Sequence, residues 1–325
     1  MFFRKHRVMC AKAGTWFLYP ISDIHYDEPS SREEEFAYDE WCDWKDKITS
    51  NPYALYIGLN DWVTMFRKKT TKMLQSAMIG ESEYPKLCDL YKKMLDRFMN
   101  KEMKDFSRDR FLGLTESNHG FIFQDGKTST QYICEEMGIP YLGDESYIRL
   151  MFSENNTRKD MGGNPQINHT LMMDLVARHD AGSCTTPNTA VMKFRRDLMP
   201  LYPDARLFLI GHTHGHYVEH DTFTRFTNTL NNTPIEQRRY YVCCGSFMRS
   251  RIIDEAIIPK ETNNALRNVT YAESRCLRNH GVGNPEIRIT ITAKRMKELG
   301  RTNPYKGHPT GQNKFIRLID LDVVL

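Results

Sequence analysis

The sequence predicts an α/β fold, and three observations indicate it. Apolar runs of strand length alternate along the chain with segments of helical periodicity. Several of these runs stop at polar residues, as strands of a largely parallel sheet do at the sheet edge. With 325 residues, 40% of them hydrophobic, the chain can bury a sizeable core. We expect one domain over residues 1–325, with a helical insertion near 66–106 and a C-terminal elaboration over 250–325.

The charge and cysteine content exclude several classes of protein. Lysine and arginine number 45 against 41 aspartates and glutamates, so the formal net charge of +4 excludes a histone-like polycation. No run approaches the roughly 20 apolar residues of a membrane-spanning helix. The 8 cysteines show no C-x-x-C spacing, so neither a zinc ribbon nor a disulfide framework is indicated. Because no signal-peptide pattern is present, we expect a cytoplasmic protein with no membrane partner.

The first predicted elements form a β-α-β unit. Residues 15–21 are apolar and aromatic and stop at polar residues, which predicts a buried strand, although Pro20 lacks the N–H that a central strand uses. A capping box that begins at Ser31, followed by aromatic residues at helical spacing, predicts a helix that crosses back over the sheet. The next apolar run, residues 53–59, has strand length and predicts the second strand of the unit.

The rest of the chain repeats this alternation and then becomes rich in strands. Helical periodicity over residues 66–106, interrupted by Gly80 and Pro85, predicts two helices. Glycine, proline and charged residues over 154–168 predict an exposed insertion. The other predicted elements are a helix at 130–137 and strands at 111–115, 171–177, 206–210, 240–244, 287–291 and 315–324.

Side chains that suit metal ions follow five of the predicted strands. Divalent ions that activate water favour imidazole nitrogens and carboxylate oxygens, and a carboxylate can bridge two such ions. Residues two apart in an extended segment project to the same side, as in Asp23 with His25 and His212 with His214. Sites of open α/β sheets form at the carboxyl ends of strands, so we expect these loops to converge. The candidate residues are Asp23, His25, Asp61, Asn118, His119, His179, His212 and His214.

Five motifs in these loops resemble, in the same order along the chain, those of calcineurin-like metallophosphoesterases. The motifs are Ser22-Asp23-Ile24-His25, Asn60-Asp61, Asn118-His119, Arg178-His179-Asp180 and Gly211-His212-Thr213-His214. The resemblance extends from Ile21 to about Ser246, and residues 271–273 are similar to a tail of phage-type members. The chain thus resembles a phage or bacterial member of that family. This resemblance implies a four-layer sandwich, with two mixed β-sheets flanked by helices.

The resemblance also implies a site for two divalent metal ions. The first ion would be bound by Asp23, His25 and His214, and the second by Asn118, His179 and His212. Asp61 would bridge the two ions, and His119 would be the catalytic proton donor. Manganese is the first choice of metal, and Fe, Zn, Ni and Mg also suit a mixed nitrogen and oxygen ligand set.

The implied reaction is hydrolysis of a phosphate ester by a hydroxide that the two ions activate, with an imidazolium protonating the leaving oxygen. Phosphodiesters, including DNA, are slightly favoured as substrates because of the phage-type tail and two groups of basic residues. Ordinary surface charge explains those residues at least as well, so nucleic acid is a candidate partner beside a small phosphate ester. The pattern carries no signal for an oligomeric state. The basic residues are Arg67, Lys68, Lys69, Lys72, Arg249 and Arg251.

Several positions depart from the motifs of the family. Asn60 stands where a glycine is usual, and Thr64 stands where a second carboxylate often supports the proton donor. The Thr64 departure bears on the orientation of His119. In the third motif, Ser117 replaces a leading glycine and Gly120 replaces a trailing acid, which bears on loop geometry more than on metal ligation.

Two alternatives concern the second motif and the function. The second motif can be shifted to Gly58-Leu59, but leucine cannot bind a metal and the strand would end too early, so Asp61 is retained. The alternative function is a catalytically silent, protein-binding module with this fold. Such modules usually lose a ligand or the proton donor, whereas every matching position is occupied here.

Other conspicuous residues have structural explanations. His216 either contacts phosphate or occupies an exposed polar position on a hairpin. Cys243 and Cys244 lie in an apolar strand and are expected to fill the core. Trp41 and Trp44 continue the aromatic stripe of the first helix and are expected to be core residues.

Overall fold

The computed structural model contains two six-stranded sheets. It describes residues 2–10, 14–26, 36–63, 84–118, 120–154, 170–180, 184, 186–227, 233–248, 281–295 and 315–325. The first sheet has the spatial order β1 (Phe2–Cys10), β6 (Glu145–Glu154), β7 (Thr170–Arg178), β8 (Leu207–Ile210), β10 (Thr233–Cys244) and β9 (His216–Thr227). The second has the order β12 (Phe315–Val324), β11 (Glu286–Arg295), β2 (Thr15–Ser22), β3 (Ala54–Asn60), β4 (Phe111–Thr115) and β5 (Tyr141–Gly143).

Both sheets combine parallel and antiparallel pairs. In the first sheet, β7, β8 and β10 are parallel neighbours and β1 is parallel to β6, whereas β6 with β7 and β10 with β9 are antiparallel. In the second sheet, β2, β3, β4 and β5 are parallel, and β11 and β12 add antiparallel strands beside β2. The predicted α/β fold with two mixed sheets is therefore confirmed.

Helices flank the sheets. They are α1 (Tyr38–Thr49), α2 (Tyr84–Phe98), α3 (Ser129–Met137) and α4 (Pro187–Asp197), with a π-helical segment at Met99–Met103 and a 3-10 turn at Arg108–Arg110. A capping box of Thr128 and Gln131 begins α3, which ends at Gly138 in the left-handed conformation. Thr186 caps α4, and Pro187 occupies its first turn. None of the helices in the described ranges is long and apolar enough to cross a membrane.

Three apolar clusters hold the four layers together. The central cluster joins the facing sides of the two sheets and includes Ile57 of β3 and Leu209 of β8, both fully buried. An aromatic cluster, with Trp41 of α1 and Phe98 of α2, packs helices on the outer face of the second sheet. Phe194 of α4 lies in the third cluster, on the outer face of the first sheet. Each large apolar side chain buried in this way stabilises the fold by about 1.5–3 kcal/mol.

The predicted strands that fall on described residues are all confirmed, although β10 begins at Thr233 rather than at residue 240. The first predicted helix begins at Tyr38, and the capping box at Ser31 lies outside the described residues. In the predicted helical region near 66–106, α2 is confirmed, while residues 64–83 lie outside the described part of the chain, as does most of the 154–168 insertion. The domain boundaries stay a prediction.

Pro20 lies within β2 without interrupting the sheet. Pairing between β2 and β11 covers residues 15–18 only, so on that side no ladder hydrogen bond is lost at Pro20. On the other side, β2 continues beside β3 to Ser22, with a change of register after Ile21. The strand β2 thus stays paired with β3 up to its carboxyl end at Ser22, directly before Asp23.

Candidate metal centre

The carboxyl ends of parallel strands from both sheets meet at one end of the sandwich. Asp23, directly after β2, donates its backbone N–H to Asn60 at the end of β3, at 2.9 Å. The backbone carbonyl of Asp23 accepts from the Ser246 hydroxyl at 2.8 Å and from the Phe247 N–H at 3.1 Å, both in the turn after β10. The Asp23 carboxylate accepts from the backbone of His212, after β8, at 2.9 Å. The predicted convergence of these loops is therefore present.

The turns that carry these side chains have an unusual backbone. Left-handed residues other than glycine cost roughly 1–2 kcal/mol each. Such residues persist only where the surroundings hold them, and they concentrate at functional sites. In the described part of the chain, the non-glycine residues with positive φ, between 49° and 68°, are Asp23, His25, Asn60, Asp61, His212 and His214.

Asp23, His25 and His214 form the first group of potential metal ligands, with one ligand atom from each within 4.8 Å of the others. The Nε2 atoms of His25 and His214 are 3.1 Å apart. Asp23 Oδ1 lies 3.2 Å from Nε2 of His214 and 3.5 Å from Nε2 of His25. The Asp23 side chain is completely buried, so three polar atoms converge on one small volume.

Asp61, His179 and His212 form the second group, and Asn118 lies beside it. His179 Nε2 is 3.0 Å from Asp61 Oδ2 and 3.2 Å from Asn118 Oδ1. The side-chain nitrogen of Asn118 is 2.8 Å from His212 Nδ1. Asp61 and His179 are buried, whereas Asn118 and His212 are half-buried. The second group is therefore partly exposed to solvent.

The two groups approach each other closely because Gly211 has no side chain. A Cβ at this position would lie 2.6 Å from the Ser22 hydroxyl and 2.8 Å from His179 Nδ1. The Ser22 hydroxyl in turn donates to Asp23 Oδ2. Glycine at 211 thus allows the loop after β8 to lie against both groups.

The carboxylate of the first group is strongly stabilised in its charged form. Burial alone would raise the pKa of Asp23, but the neighbouring imidazoles of His214, His25 and His179 outweigh burial and hold this pKa well below its usual range. Burial lowers the pKa of His25, against the opposing effect of Asp23. Asp23 is therefore an anion in the folded protein, and His25 favours the neutral form in which imidazole binds metals.

His179 and His212 of the second group are shifted in opposite directions. Burial alone would lower the pKa of His179, but the charge and hydrogen bond of Asp61, with a smaller effect from Asp23, raise it to about 9. Burial, and then the charge of His179, lower the pKa of His212. In the metal-free protein, the positive charge of His179 thus balances the buried carboxylate of Asp61.

These residues fit two divalent ions. Each group combines a buried carboxylate with two imidazoles, a ligand set that divalent transition metals favour. No hydrogen bond of good geometry reaches Asp23 Oδ1 from the described residues, although it is buried beside two imidazoles. A buried carboxylate oxygen without a donor is costly. A cation between Asp23, His25 and His214 would satisfy all three converging atoms at once.

The structure brings seven of the eight predicted residues together, and the eighth, His119, lies outside the described residues. The shifted register of the second motif is excluded, because Leu59 is fully buried in the core between the sheets while Asp61 lies in the second group. Thr64 is also outside the described residues, as are the basic residues near 67–72 and at 249 and 251.

His216 does not occupy the exposed position that one of its two predicted explanations required, while its contact with phosphate stays a prediction. Its ring is half-buried, and Nε2 lies 2.6 Å from the carbonyl oxygen of Gly283. It therefore ties the start of β9 to the segment before β11 rather than standing exposed. Cys243 and Cys244 are fully buried in the core, as predicted.

Sequence reasoning noted Ser117 only as a departure from the motif, and it missed the contacts that polar residues make around the two groups. The Ser117 hydroxyl donates to Asp61 Oδ1. The Glu116 carboxylate accepts from the backbone N–H of Ser117 at 2.9 Å. The Asn284 side chain donates to the carbonyl of Ser22 at 3.2 Å. Serine, glutamate and asparagine are common in loops, so nothing but proximity to the motifs could have indicated them.

Comparisons with known proteins give one similarity of fold. No protein-family model matches the chain, and no curated protein is similar to it in sequence. Among solved structures, the chain is similar to a calcineurin-like phosphoesterase, YfkN from Bacillus subtilis, with 11% sequence identity and a TM-score of 0.36. The similarity covers 96% of this chain and 91% of that chain. A likeness this distant carries no argument about function.

Proposed function

We propose that the chain is a metal-dependent phosphoesterase of the calcineurin-like type and that it holds two divalent ions. The observation that carries the proposal is the meeting, at one end of the sandwich, of two groups of ligand-type side chains from loops of both sheets. Two ions held side by side lower the pKa of water and neutralise the charge that develops on a phosphoryl group. Hydrolysis of a phosphate ester is the reaction that such a pair serves best.

The residues divide between the two ions according to their grouping. One ion would be held by Asp23, His25 and His214, and the other by His179, His212 and Asn118. Asp61 would bridge them. Its Oδ2 faces His179 in the second group, and its charge also acts on His25 in the first, which supports a position between the two.

We assign the proton donor to His119. It directly follows Asn118 in the sequence, and the side chain of Asn118 lies against His179 and His212. An imidazolium there would protonate the leaving oxygen of the ester. The support is sequence position alone, since the His119 side chain lies outside the described residues.

For the substrate, we favour phosphodiesters, including DNA, over monoesters, and manganese as the metal. The support for a diester is the similarity of residues 271–273 to the phage-type tail together with the basic residues of the sequence. Mixed imidazole and carboxylate ligation suits manganese and also admits iron, zinc, nickel or magnesium.

The first test compares metal content and substrates. The purified protein should contain two divalent ions per chain by elemental analysis. It should hydrolyse bis(p-nitrophenyl) phosphate faster than p-nitrophenyl phosphate, and single- and double-stranded DNA would then be compared. A chain that binds no metal and hydrolyses neither ester would contradict the proposal and favour the protein-binding alternative. Faster monoester hydrolysis would contradict only the diester preference.

Variants separate metal binding from proton donation. Asp61→Ala should lose both ions and the activity, whereas Asp105→Ala, on an exposed turn, should keep both. His119→Ala should keep both ions but hydrolyse esters about 10²–10⁴-fold more slowly, most of all those with poor leaving groups. The exposed His220→Ala is its matched control. An unchanged rate of His119→Ala with poor leaving groups would remove His119 from the role of proton donor.

A further inference from the structure

Ser117 makes a contact with Asp61 that the usual motif lacks. A glycine is usual at this position, and glycine has no side chain to reach a carboxylate. Here the Ser117 hydroxyl donates a hydrogen bond to Oδ1 of Asp61. The Asp61 side chain is completely buried, whereas Ser117 is half-buried at the edge of the site. The hydroxyl therefore reaches the buried carboxylate from the more exposed side.

The two oxygens of Asp61 face different partners. Oδ1 accepts from Ser117, and Oδ2 lies 3.0 Å from Nε2 of His179 in the second group. A carboxylate can rotate about its last side-chain bond and exchange its oxygens unless a hydrogen bond fixes one of them. Hydrogen bonds to a metal-binding carboxylate orient it and change metal affinity. The Ser117 hydroxyl thus determines which oxygen of Asp61 is presented to the ligand groups.

Ser117 is itself held in place by Glu116. The backbone N–H of Ser117 donates to Glu116 Oε1 at 2.9 Å. The Glu116 carboxylate is fixed by three further donors, from α3 and its N-cap and from β5. These are the hydroxyls of Thr130 at 2.5 Å, Thr128 at 2.8 Å and Tyr141 at 2.8 Å. A carboxylate with four hydrogen bonds is a rigid support for the neighbouring loop.

Thr130 links this support to the backbone beside Asp61. Its hydroxyl lies 2.6 Å from the side-chain nitrogen of Asn60, which also donates to the carbonyl of Thr115 at 2.8 Å. Asn60 directly precedes Asp61 and holds the left-handed backbone at that turn. Glu116 therefore positions Asp61 in two ways. It acts on the backbone beside Asp61 through Thr130 and Asn60, and on the side chain of Asp61 through Ser117.

We propose that Ser117 is a positioning residue that fixes the carboxylate of Asp61, leaving Oδ2 toward the metal ions, and that Glu116 orients Ser117. The inference rests on the proposed function, because it concerns how Asp61 meets the ions. It assigns no contact with substrate to Ser117. The Ser117 hydroxyl would change metal affinity only through the orientation of Asp61.

The test measures binding of Mn²⁺ alone to the chelator-treated full chain by calorimetry. Ser117→Ala should weaken the binding of at least one of the two ions by about 10–100-fold. Ser117→Thr retains a hydroxyl and should restore the affinity. Ser50→Ala is the matched control, because Ser50 lies at the exposed end of α1 and its hydroxyl contacts only the local carbonyl of Lys47 among the described residues.

A second measurement distinguishes positioning from general destabilisation. Two manganese ions that share a carboxylate oxygen are magnetically coupled, so their EPR spectrum reports the geometry of the bridge. Ser117→Ala should change this coupled spectrum at full loading, while its far-UV circular dichroism and cooperative unfolding stay as in the wild type. Ser117→Thr should restore the spectrum.

The outcomes separate the two proposals. If the wild type binds two ions and Ser117→Ala binds them with the same affinities and spectrum, the role of Ser117 is wrong while the proposed function stands. If Ser117→Thr is as weak as Ser117→Ala, the hydroxyl is not the cause, and the role is again wrong. If the wild type binds no ion, the proposed function fails first.

Discussion

At the scale of single residues, the left-handed turns of the candidate site concentrate strain where the polar side chains meet. Asn60 is the residue that tolerates this conformation best, because its short amide can hydrogen-bond locally. Its side chain donates to Thr115 and contacts Thr130, so it holds β3 against β4 and α3. Its φ of 68° lies in the left-handed region, which asparagine adopts more readily than most residues other than glycine.

A substitution series at Asn60 tests this explanation. Asn60→Gly removes two buried polar contacts, each worth about 0.5–1.5 kcal/mol, and relieves little strain, so the free energy of unfolding should fall by about 1–2 kcal/mol. Asn60→Ala loses the same contacts and adds a left-handed alanine, which costs a further 1–2 kcal/mol or so. The free energy of unfolding measured by urea denaturation should therefore decrease from the wild type to Asn60→Gly and further to Asn60→Ala. An alanine variant as stable as the glycine variant would contradict the strain argument.

Residue type was enough to select the candidate ligands from the sequence, but not the groups that orient them. Aspartate and histidine at strand ends are unusual enough to be noticed, and those that the structure describes do meet in space. Ser117 and Glu116 are ordinary loop residues, and their roles depend on distances to Asp61 and α3 that only the folded chain defines. The burial of His216 could not be foreseen for the same reason, since its partner Gly283 is remote in sequence.

At the scale of elements, close approach requires glycine at several described positions, among them Gly58 inside a strand and Gly211 in the site. A Cβ on Gly58 of β3 would lie 2.3 Å from Leu114 and 2.5 Å from Trp62. Gly58→Ala should therefore lower the free energy of unfolding by about 1–3 kcal/mol through overpacking. Gly211→Ala should in addition reduce the metal content, because its Cβ would press on Ser22 and His179.

The free energy of unfolding and the metal content of Gly58→Ala and Gly211→Ala, measured on the same preparations, check this contrast. Gly281→Ala serves as the control, because a Cβ there would meet nothing closer than 3.6 Å. The contrast would be contradicted if Gly211→Ala kept full metal occupancy, or if Gly58→Ala lost more metal than Gly211→Ala.

The strands that sequence reasoning missed were of two kinds. The edge strands β1 and β9 carry many charged and polar residues, since an edge has less apolar surface to bury and charge protects it from pairing with other chains. Their sequences do not contain the apolar run that identified the central strands. By contrast, β6 did carry a strand signal that was overlooked, because Ile148, Leu150 and Phe152 alternate along its buried face. The helix α4 was also missed, although Thr186 and Pro187 are typical of the start of a helix.

At the scale of the whole molecule, four of the buried or half-buried histidines among the described residues make stability depend on pH in opposing ways. Burial lowers the pKa of His25, His212 and His216 from the ordinary value of 6.5. The unfolded chain takes up these protons near pH 6.5 and the folded chain does not, so stability falls as the pH drops below that value. The pKa of His179 is raised to about 9, so its contribution is fully present below pH 6.5 and is lost as the pH rises through about 9.

The combined contribution of these four histidines to the stability of the metal-free protein should therefore be greatest near pH 6.5. Thermal unfolding of chelator-treated protein from about pH 5 to about pH 9 would show the maximum. Adding Mn²⁺ should raise the unfolding temperature more at about pH 8 than at about pH 6, because the ion has to displace the proton of His179. A metal-free stability that keeps rising from neutral pH to about pH 9 would contradict the assignment of His179.

The fold class and most of the central strands could be read from the sequence because local apolar runs report burial directly. The packing of the two sheets could not, since it depends on which faces of β3 and β8 meet across the core. The resemblance of the sequence to a known family implied that architecture, and the mixed pairing in both sheets agrees with it.

The turn at Asp23 is held by hydrogen bonds from residues far along the chain, so it cannot be complete until those residues have been synthesised. Ser246 and Asn284 hold that turn, and β11, which follows Asn284, lies next to β2. A ribosome delivers Asp23 early and these partners more than two hundred residues later. A cation between Asp23, His25 and His214 would therefore be held at full strength only after translation has passed Asn284.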